Sequence, residues 1–322
     1  MSIEGPDLGH RLSVSPEARA QLAAYQKLSR QAALDCLPAK EPRRYLYDLL
    51  PTLPLRPGKA IRPVLCLAVG RALGGSLDEL IACAAAFELL HTAFLIHDDI
   101  QDGSPRRRGG PALHMEHGLP LALNAGNALA ALAAREIVRG VRPLGNETSM
   151  AVVSEFQWMV RETVEGQAID LGWQRDNVTA ITVEDYFEMA LKKTGWYTGI
   201  GPLRIGALLA SRGRNDPGWA LRLGSYLGTM FQINDDLTSL TEENEDEGPG
   251  DDIYEGKRTL MLIHLLGQAS GQDRRRLTQF LARPRSQRQR EDVQWILDQM
   301  HQHGSIEFAQ SCMWGLAAIP IS

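Results

Sequence analysis

Residues 88–102 read ELLHTAFLIHDDIQD, and the way this stretch ends decides the fold. Going backwards from Asp98, apolar residues and alanines recur at helical spacing, interrupted by His91 and Glu88, to Leu77, with Ser76 and Gly74-Gly75 in front. A period of 3.6, the dominance of Ala and Leu and the scarcity of β-branched runs predict one helix over residues 77–102. Ser76 and Glu79 have the S-x-x-E spacing of a capping box. Asp98 and Asp102 are i and i+4 and share a face. Three carboxylates with Asp99 thus stand at a helix C-terminus, where like charges repel and the helix dipole disfavours anions. A bound cation would remove both conflicts. Mg²⁺ suits the place, because it takes one or two carboxylates and fills its other positions with water and phosphate oxygens. Taken alone, an acidic helix end is more often solvated surface.

Outward from this helix, nearly every periodic segment also reads as helix. Segments are expected near 16–35, 41–50, 60–73, 119–139, 147–172, 183–193, 196–212, 217–240, 258–268, 273–282, 289–300 and 305–317, with no alternating strand series. Long helices joined by short turns predict an all-α bundle of antiparallel helices around a deep central cavity. No linker or tandem repeat divides the 322 residues, so a single domain over 1–322 is expected, with the first 15 or so residues disordered. Composition is ordinary for a globular chain, at 44% hydrophobic and 23% charged, and the net charge of −5 gives no support to nucleic-acid binding. Cys36, Cys66, Cys83 and Cys312 are scattered, which fits free thiols in a reducing cytoplasm. The N-terminus lacks a signal-peptide core, and no apolar stretch is expected to reach the length of a transmembrane segment.

Asp235 and Asp236, in FQINDDLTSL, repeat the acidic pattern at the end of a second apolar helix. Gly224 and Gly228 before them would allow close approach of a neighbour. Basic residues stand at helix ends, at glycine turns or beside the aspartates: Lys59 and Arg62 in GKAIRP, Arg106 to Arg108 in SPRRRGG, Lys192 and Lys193 in LKKTGW, and Lys257 and Arg258 in EGKRTL. Guanidinium groups fork onto phosphate and ammonium groups act as point charges. Two acidic pairs and several cations point to a metal-assisted reaction of a phosphate ester.

The segments GKAIRP, ELLHTAFLIHDDIQD, RRRGGPALHMEHG, GNAL, EGQAIDL, KKTG, FQINDD and DDIYEGKRTL, in this order from about Gly58 to Leu265, resemble the trans-isoprenyl diphosphate synthases, the polyprenyl synthetase family. The resemblance implies an isoprenoid synthase fold and a prenyltransferase that joins an allylic diphosphate to isopentenyl diphosphate. It implies Mg²⁺, expected as three ions, held by Asp98, Asp99 and Asp102 and by Asp235 and Asp236. Arg107, Lys193, Thr194, Gln232 and Lys257 match residues around the allylic diphosphate. Lys59, Arg62, His91 and Arg108 match the isopentenyl diphosphate site. Ala93 and Phe94 match the positions that control chain length; Ala93 leaves room and Phe94 narrows it, which favours a C20 product with C15 and C25 open. Gln167 and Asp170 also fit the pattern, as cavity-lining residues. A homodimer and a cytoplasmic location follow by the same analogy. Three positions depart from the pattern: Ser239 replaces a frequent third aspartate, Glu247 a common lysine, and Asn127 a frequent aspartate. Alternatives on this scaffold are a terpene cyclase and a non-catalytic partner subunit of a synthase. The intact set Lys59, Arg62, His91 and Arg108 argues against the cyclase, and the whole first aspartate motif against the subunit.

Overall fold

The computed structural model describes residues 15–214, 216–241 and 250–318. Glu247 and the N-terminal segment expected to be disordered, apart from its last residue, lie outside them. The helices are α1 (Pro16–Asp35), α2 (Thr52–Leu55), α3 (Ile61–Ala72), α4 (Leu77–Asp102), α5 (Leu113–His117), α6 (Leu119–Val141), α7 (Asn146–Arg175), α8 (Val183–Ala190), α9 (Gly201–Ser211), α10 (Gly218–Thr241), α11 (Asp251–Glu255), α12 (Leu260–Gln268), α13 (Gly271–Leu281), α14 (Arg290–Gln302) and α15 (Ser305–Ala317). The all-α architecture expected from the sequence is the one observed. The helix expected over 41–50 is shorter and of another kind, a π-helix over Arg43–Tyr47.

α4 is the central element. Ala82, Ala84, Ala85, Ala86, Phe87, Leu89, Leu90, Ala93 and Ile96 are all buried, so the helix is enclosed on most sides. Each fully buried Leu, Ile or Phe stabilises by about 1.5–3 kcal/mol relative to exposure. This corrects one expectation. α4 does meet the length and hydropathy of a membrane span, but 72% of that window is buried inside the fold, as in a core helix. The capping box at its start does not form either. Ser76 makes no side-chain capping bond, and Glu79 accepts from Arg212 at 2.5 Å. Gly103, at φ 66°, ends the helix in the left-handed conformation that glycine tolerates best.

Two apolar clusters flank the middle of the protein. One joins α1, α3, α4, α6, α7 and α9; the other joins α8, α10, α12, α13, α14 and α15. Between them runs a continuous helical rod in which α8 and α9 are linked by a π-helical segment, Leu191–Ile200. The sequence reading placed a break near KKTG; the chain widens its turn there and continues. π-helical turns recur at functional sites because they shift the side-chain register. Here the segment contains Lys193, Thr194 and Tyr197.

The close neighbour expected for Gly224 and Gly228 is this segment. A Cβ at Gly228 would lie 2.4 Å from the Gly195 backbone, and one at Gly224 would lie 2.5 Å from that of Ile200. On the other side, a Cβ at Gly166 of α7 would lie 2.2 Å from the Lys193 nitrogen. Backbones therefore touch where side chains would otherwise hold the helices apart. Among the described residues the only strands are β1 (Arg106–Arg107) and β2 (Gly110–Pro111), a minimal antiparallel hairpin.

Candidate active site

A cavity of about 900 Å³ opens between α4, α7, α8, the π segment, α10 and the loop before α12. Of the residues singled out in the sequence, Lys59, Arg62, His91, Phe94, Asp98, Arg107, Arg108, Lys193, Thr194, Gln232, Asp235, Asp236 and Lys257 line it, with Gln167 and Asp170. Asp98 and Asp235 thus meet across one hollow. Ala93, Asp99 and Asp102 do not line it. Ala93 is fully buried in the core, and Asp99 is fully buried with its Oδ1 2.6 Å from the Arg107 guanidinium. Asp102 lies just behind the wall, 3.2 Å from Lys257 Nζ.

The acidic side is densely bonded. Gln167 donates to Asp98 Oδ1 and to Gln101 Oε1, both at 2.8 Å. Asp236 accepts from Tyr186 Oη at 2.8 Å and from Gln232 Nε2 at 2.7 Å, and Thr194 donates to Gln232. Burial and the neighbouring Asp252 push the Asp236 carboxyl up to about 8. Burial raises Asp102 to about 7; Lys257 opposes the shift, and Asp98 and Glu255 add to it. Burial, with Asp252 next, also raises Asp235.

The cations on this side are partnered. Lys193 bonds Asp170 at 2.6 Å, and Lys257 bonds Asp102, Asp252 at 3.0 Å and Glu255 at 2.5 Å. Burial alone would lower both lysines. Asp170 for the one, and Asp252, Asp102 and Glu255 for the other, outweigh it and hold both above the usual range.

The basic side is arranged differently. Arg62 is buried, with its guanidinium 3.9 Å over the Tyr197 ring. Arg108, at φ 52° in the hairpin turn, lies 3.3 Å from His91 Nε2. Burial and the charges of Arg62 and Arg108 hold His91 well below its ordinary pKa, so the ring is neutral at pH 7 and Nε2 accepts. Gly58 seats the Arg108 guanidinium, since a Cβ there would come within 2.9 Å of it.

Several functional neighbours escaped the sequence reading. Gln26 donates to the Lys59 carbonyl at 2.7 Å and Arg30 to that of Gly58 at 2.9 Å, so α1 braces the loop carrying Lys59. Arg56 grips the hairpin through the carbonyls of Arg107 at 2.6 Å and Pro111 at 2.9 Å. Tyr186 fixes Asp236. Asp252 takes the Ser239 hydroxyl at 2.5 Å, which gives a physical role to the residue at that departure from the pattern. Spacing offered one signal: Tyr186 precedes Lys193 by seven residues, two helical turns.

The residues fit a divalent metal. Among the described residues Asp98 and Asp235 form no ion pair, although both face the cavity and carboxylates crowd both helix ends. No three acidic, histidine or cysteine side chains among them converge as a closed metal cage. The carboxylates of Asp98 and Asp235, facing one cavity, suit a hard cation that water and phosphate oxygens complete.

A helical bundle whose cavity sets carboxylates against cations is suited to an enzyme that ionises diphosphate esters. The sequence pattern of the polyprenyl synthetase family matches residues 43–300. The short chain isoprenyl diphosphate synthase of Methanothermobacter thermautotrophicus is 37% identical over 226 residues, which are 70% of this chain and 68% of that protein. The geranylgeranyl diphosphate synthase of Sulfolobus acidocaldarius is 36% identical over 211 residues, 65% of this chain and 63% of its own. The aligned stretch therefore spans about two thirds of these relatives. The crystal structure of geranylgeranyl pyrophosphate synthetase from Pyrococcus horikoshii superposes with a TM-score of 0.81 at 29% identity, covering 93% of this chain and 90% of that one. The chain belongs to the polyprenyl synthetase family.

Proposed function

We propose that the protein is a trans-prenyl diphosphate synthase, which condenses an allylic diphosphate with isopentenyl diphosphate to a short-chain prenyl diphosphate of up to C20. The observation that supports this best is the pairing of two charged subsites in one cavity. Carboxylates with Lys193 and Lys257 stand on one side, and Lys59, Arg62 and Arg108 with neutral His91 on the other. A cyclase has one diphosphate to bind and no use for the second set.

Mg²⁺, expected as three ions, would be held by Asp98, Asp235 and Asp236, which line the cavity, and by Asp102 once Lys257 moves off it, while Asp99 is bound to Arg107; the metal would neutralise negative charge on the allylic diphosphate. Arg107, Lys193 and Lys257 face the same group. They stabilise the charge that gathers on the leaving oxygen as the allylic C–O bond breaks. Lys193 reaches it by giving up Asp170, and Lys257 by giving up part of its carboxylate ring. Arg62, Arg108 and Lys59 hold isopentenyl diphosphate so that its double bond meets the allylic carbon. A C–C bond forms, a proton leaves the carbon next to the new cationic centre, and the released diphosphate takes it. Phe94, Tyr197 and Phe231 keep water from the cation.

Homodimerisation and a cytoplasmic location belong to the same reading. The first is supported by the exposed Leu119, Leu123 and Val138 on α6 and Met150 and Trp158 on α7. The second is supported by four free cysteines.

The test supplies C5, C10 and C15 allylic diphosphates with Mg²⁺, with and without isopentenyl diphosphate, and analyses products by mass spectrometry. Elongated diphosphates that need both substrates are expected. A hydrocarbon formed from the allylic substrate alone would replace this reading with cyclisation.

A further inference from the structure

We infer that Tyr197 is a specificity-determining residue: its ring and that of Phe94, meeting from opposite walls, form the floor that ends the growing chain. The inference rests on the prenyl-transfer reading of the cavity. Four walls carry one polar position each at the level of the diphosphates: Asp98, Gln167, Lys193 and Asp235. Four residues further along each wall, about 6 Å in the three α-helices, stand Phe94, Thr163, Tyr197 and Phe231, all of which line the cavity.

One more turn down, Leu90, Met159, Gly201 and Leu227 do not line it. The hollow therefore closes on a single tier of three aromatic rings and Thr163, whose hydroxyl is taken up by the Met159 carbonyl. Within that tier Phe94 and Tyr197 are in edge-to-face contact, with centroids 5.5 Å apart and planes at 79°. Such contacts hold rings in place beyond their area of burial. Removing Phe94 alone opens one side of the shaft and leaves the Tyr197 ring on the other.

Tyr197 is also fixed from above. The Arg62 guanidinium lies 3.9 Å over its face, and the His91 ring centroid is 6.2 Å away. One aromatic plate thus serves two purposes. It stops the hydrocarbon tail, and it supports the arginine assigned to isopentenyl diphosphate. Chain length and affinity for the C5 donor are joined at this side chain. A residue serving only the core would move neither.

The test uses the full chain with Mg²⁺, farnesyl diphosphate and isopentenyl diphosphate, with products read by mass spectrometry. Tyr197→Leu is expected to shift the dominant product up by at least one C5 unit and to raise KM for isopentenyl diphosphate several-fold. Tyr197→Trp is expected to shorten the product, and Tyr197→Phe, which keeps the ring, to hold the original length. Phe94→Ala lengthens products, and Phe94→Ala with Tyr197→Leu lengthens them further than either. Should Tyr197→Leu fold poorly, the tryptophan variant decides. Leucine and tryptophan variants that both retain the parent product distribution overturn the inference. A parent enzyme that consumes no isopentenyl diphosphate overturns the function itself.

Discussion

Replacing Arg285 with glutamine should destabilise the protein more than replacing Glu255, although the two share one salt bridge of 2.7 Å. The reason is the charge balance around them. Lys257 bonds Asp102, Asp252 and Glu255, and Arg285 bonds Glu255 and Asp251, so four carboxylates meet two cations. Glu255→Gln lowers the formal negative excess from two to one, in a group where burial already raises Asp102 to about 7, and keeps a side chain of similar shape, at the loss of the ion pairs to Lys257 and Arg285 that hold the Glu255 carboxyl below its ordinary range. Arg285→Gln raises the excess to three and removes bonds of 2.5 and 2.7 Å to carboxylates that are 7% and 3% exposed. Hydrogen bonds to charged groups contribute about 1.5–3 kcal/mol each. Because Arg285 is itself 31% exposed, water takes up part of the loss. A cost of about 2–3 kcal/mol for Arg285→Gln, against under about 1 kcal/mol for Glu255→Gln, is the expected order. Unfolding entropy of about 2.1 cal/mol/K per residue gives roughly 0.7 kcal/mol/K for this chain, so Tm should fall by about 3–4 °C and by about 1 °C respectively. Thermal melts at pH 7 and low ionic strength measure both. A Glu255→Gln variant that melts below Arg285→Gln would refute the charge-balance argument.

Three further outcomes follow from the geometry. Gly228→Ala drives a Cβ to 2.4 Å from the Gly195 backbone, which cannot rotate away, and should cost at least the roughly 1–3 kcal/mol of an overpacked core, read as a lower denaturation midpoint. Lys193→Ala should raise KM for the allylic diphosphate by tenfold or more while leaving that for isopentenyl diphosphate within about threefold; steady-state kinetics with each substrate varied in turn would show equal changes if the assignment is wrong. Glu136 is buried between Arg135 and Arg139; burial opposes its charge, and the two arginines overcome it, so its carboxyl lies below the ordinary 4.5. Its contribution to stability is complete above pH 4.5 and is lost as pH falls through the lowered value. Glu136→Gln should flatten the acid limb of a stability-versus-pH curve, and an unchanged limb would contradict this.

The long helices were legible because each sets apolar residues at helical spacing on the side it buries; α4 is enclosed on most sides, whereas α1 buries only Tyr25, Ser29 and Ala33. α4 and α10 begin and end within a residue or two of expectation, and the two aspartate pairs lie where periodicity placed them. Interactions between distant parts of the chain were not legible. Glu79 looked like a capping partner for Ser76, but Arg212, 133 residues away, holds it. Ser104 and Glu255 are 151 residues apart and hydrogen-bond at 3.0 Å in a buried network that no local pattern announces. The segments expected at 183–193 and 196–212 leave a break at Thr194-Gly195. Here Gly195 and Gly199 make room for α10, and the wider π turn keeps the rod continuous. Asp99 illustrates a finer limit. Its neighbours Asp98 and Asp102 share a helix face, whereas Asp99 is turned by about 100° towards Arg107.

The glycine seam between α10 and the π segment has a mechanical consequence. Lys193 and Thr194 sit on one side of it, Gln232 and Asp235 on the other, and the two backbones are already in contact. No side-chain layer remains between them to compress or slide, so this half of the entrance behaves as one rigid jaw. Any tightening around bound substrates has to be supplied by the opposing parts, the hairpin with Arg107 and Arg108 and the loop with Lys59, which are tethered by reorientable arginine and glutamine side chains instead of welded main chain.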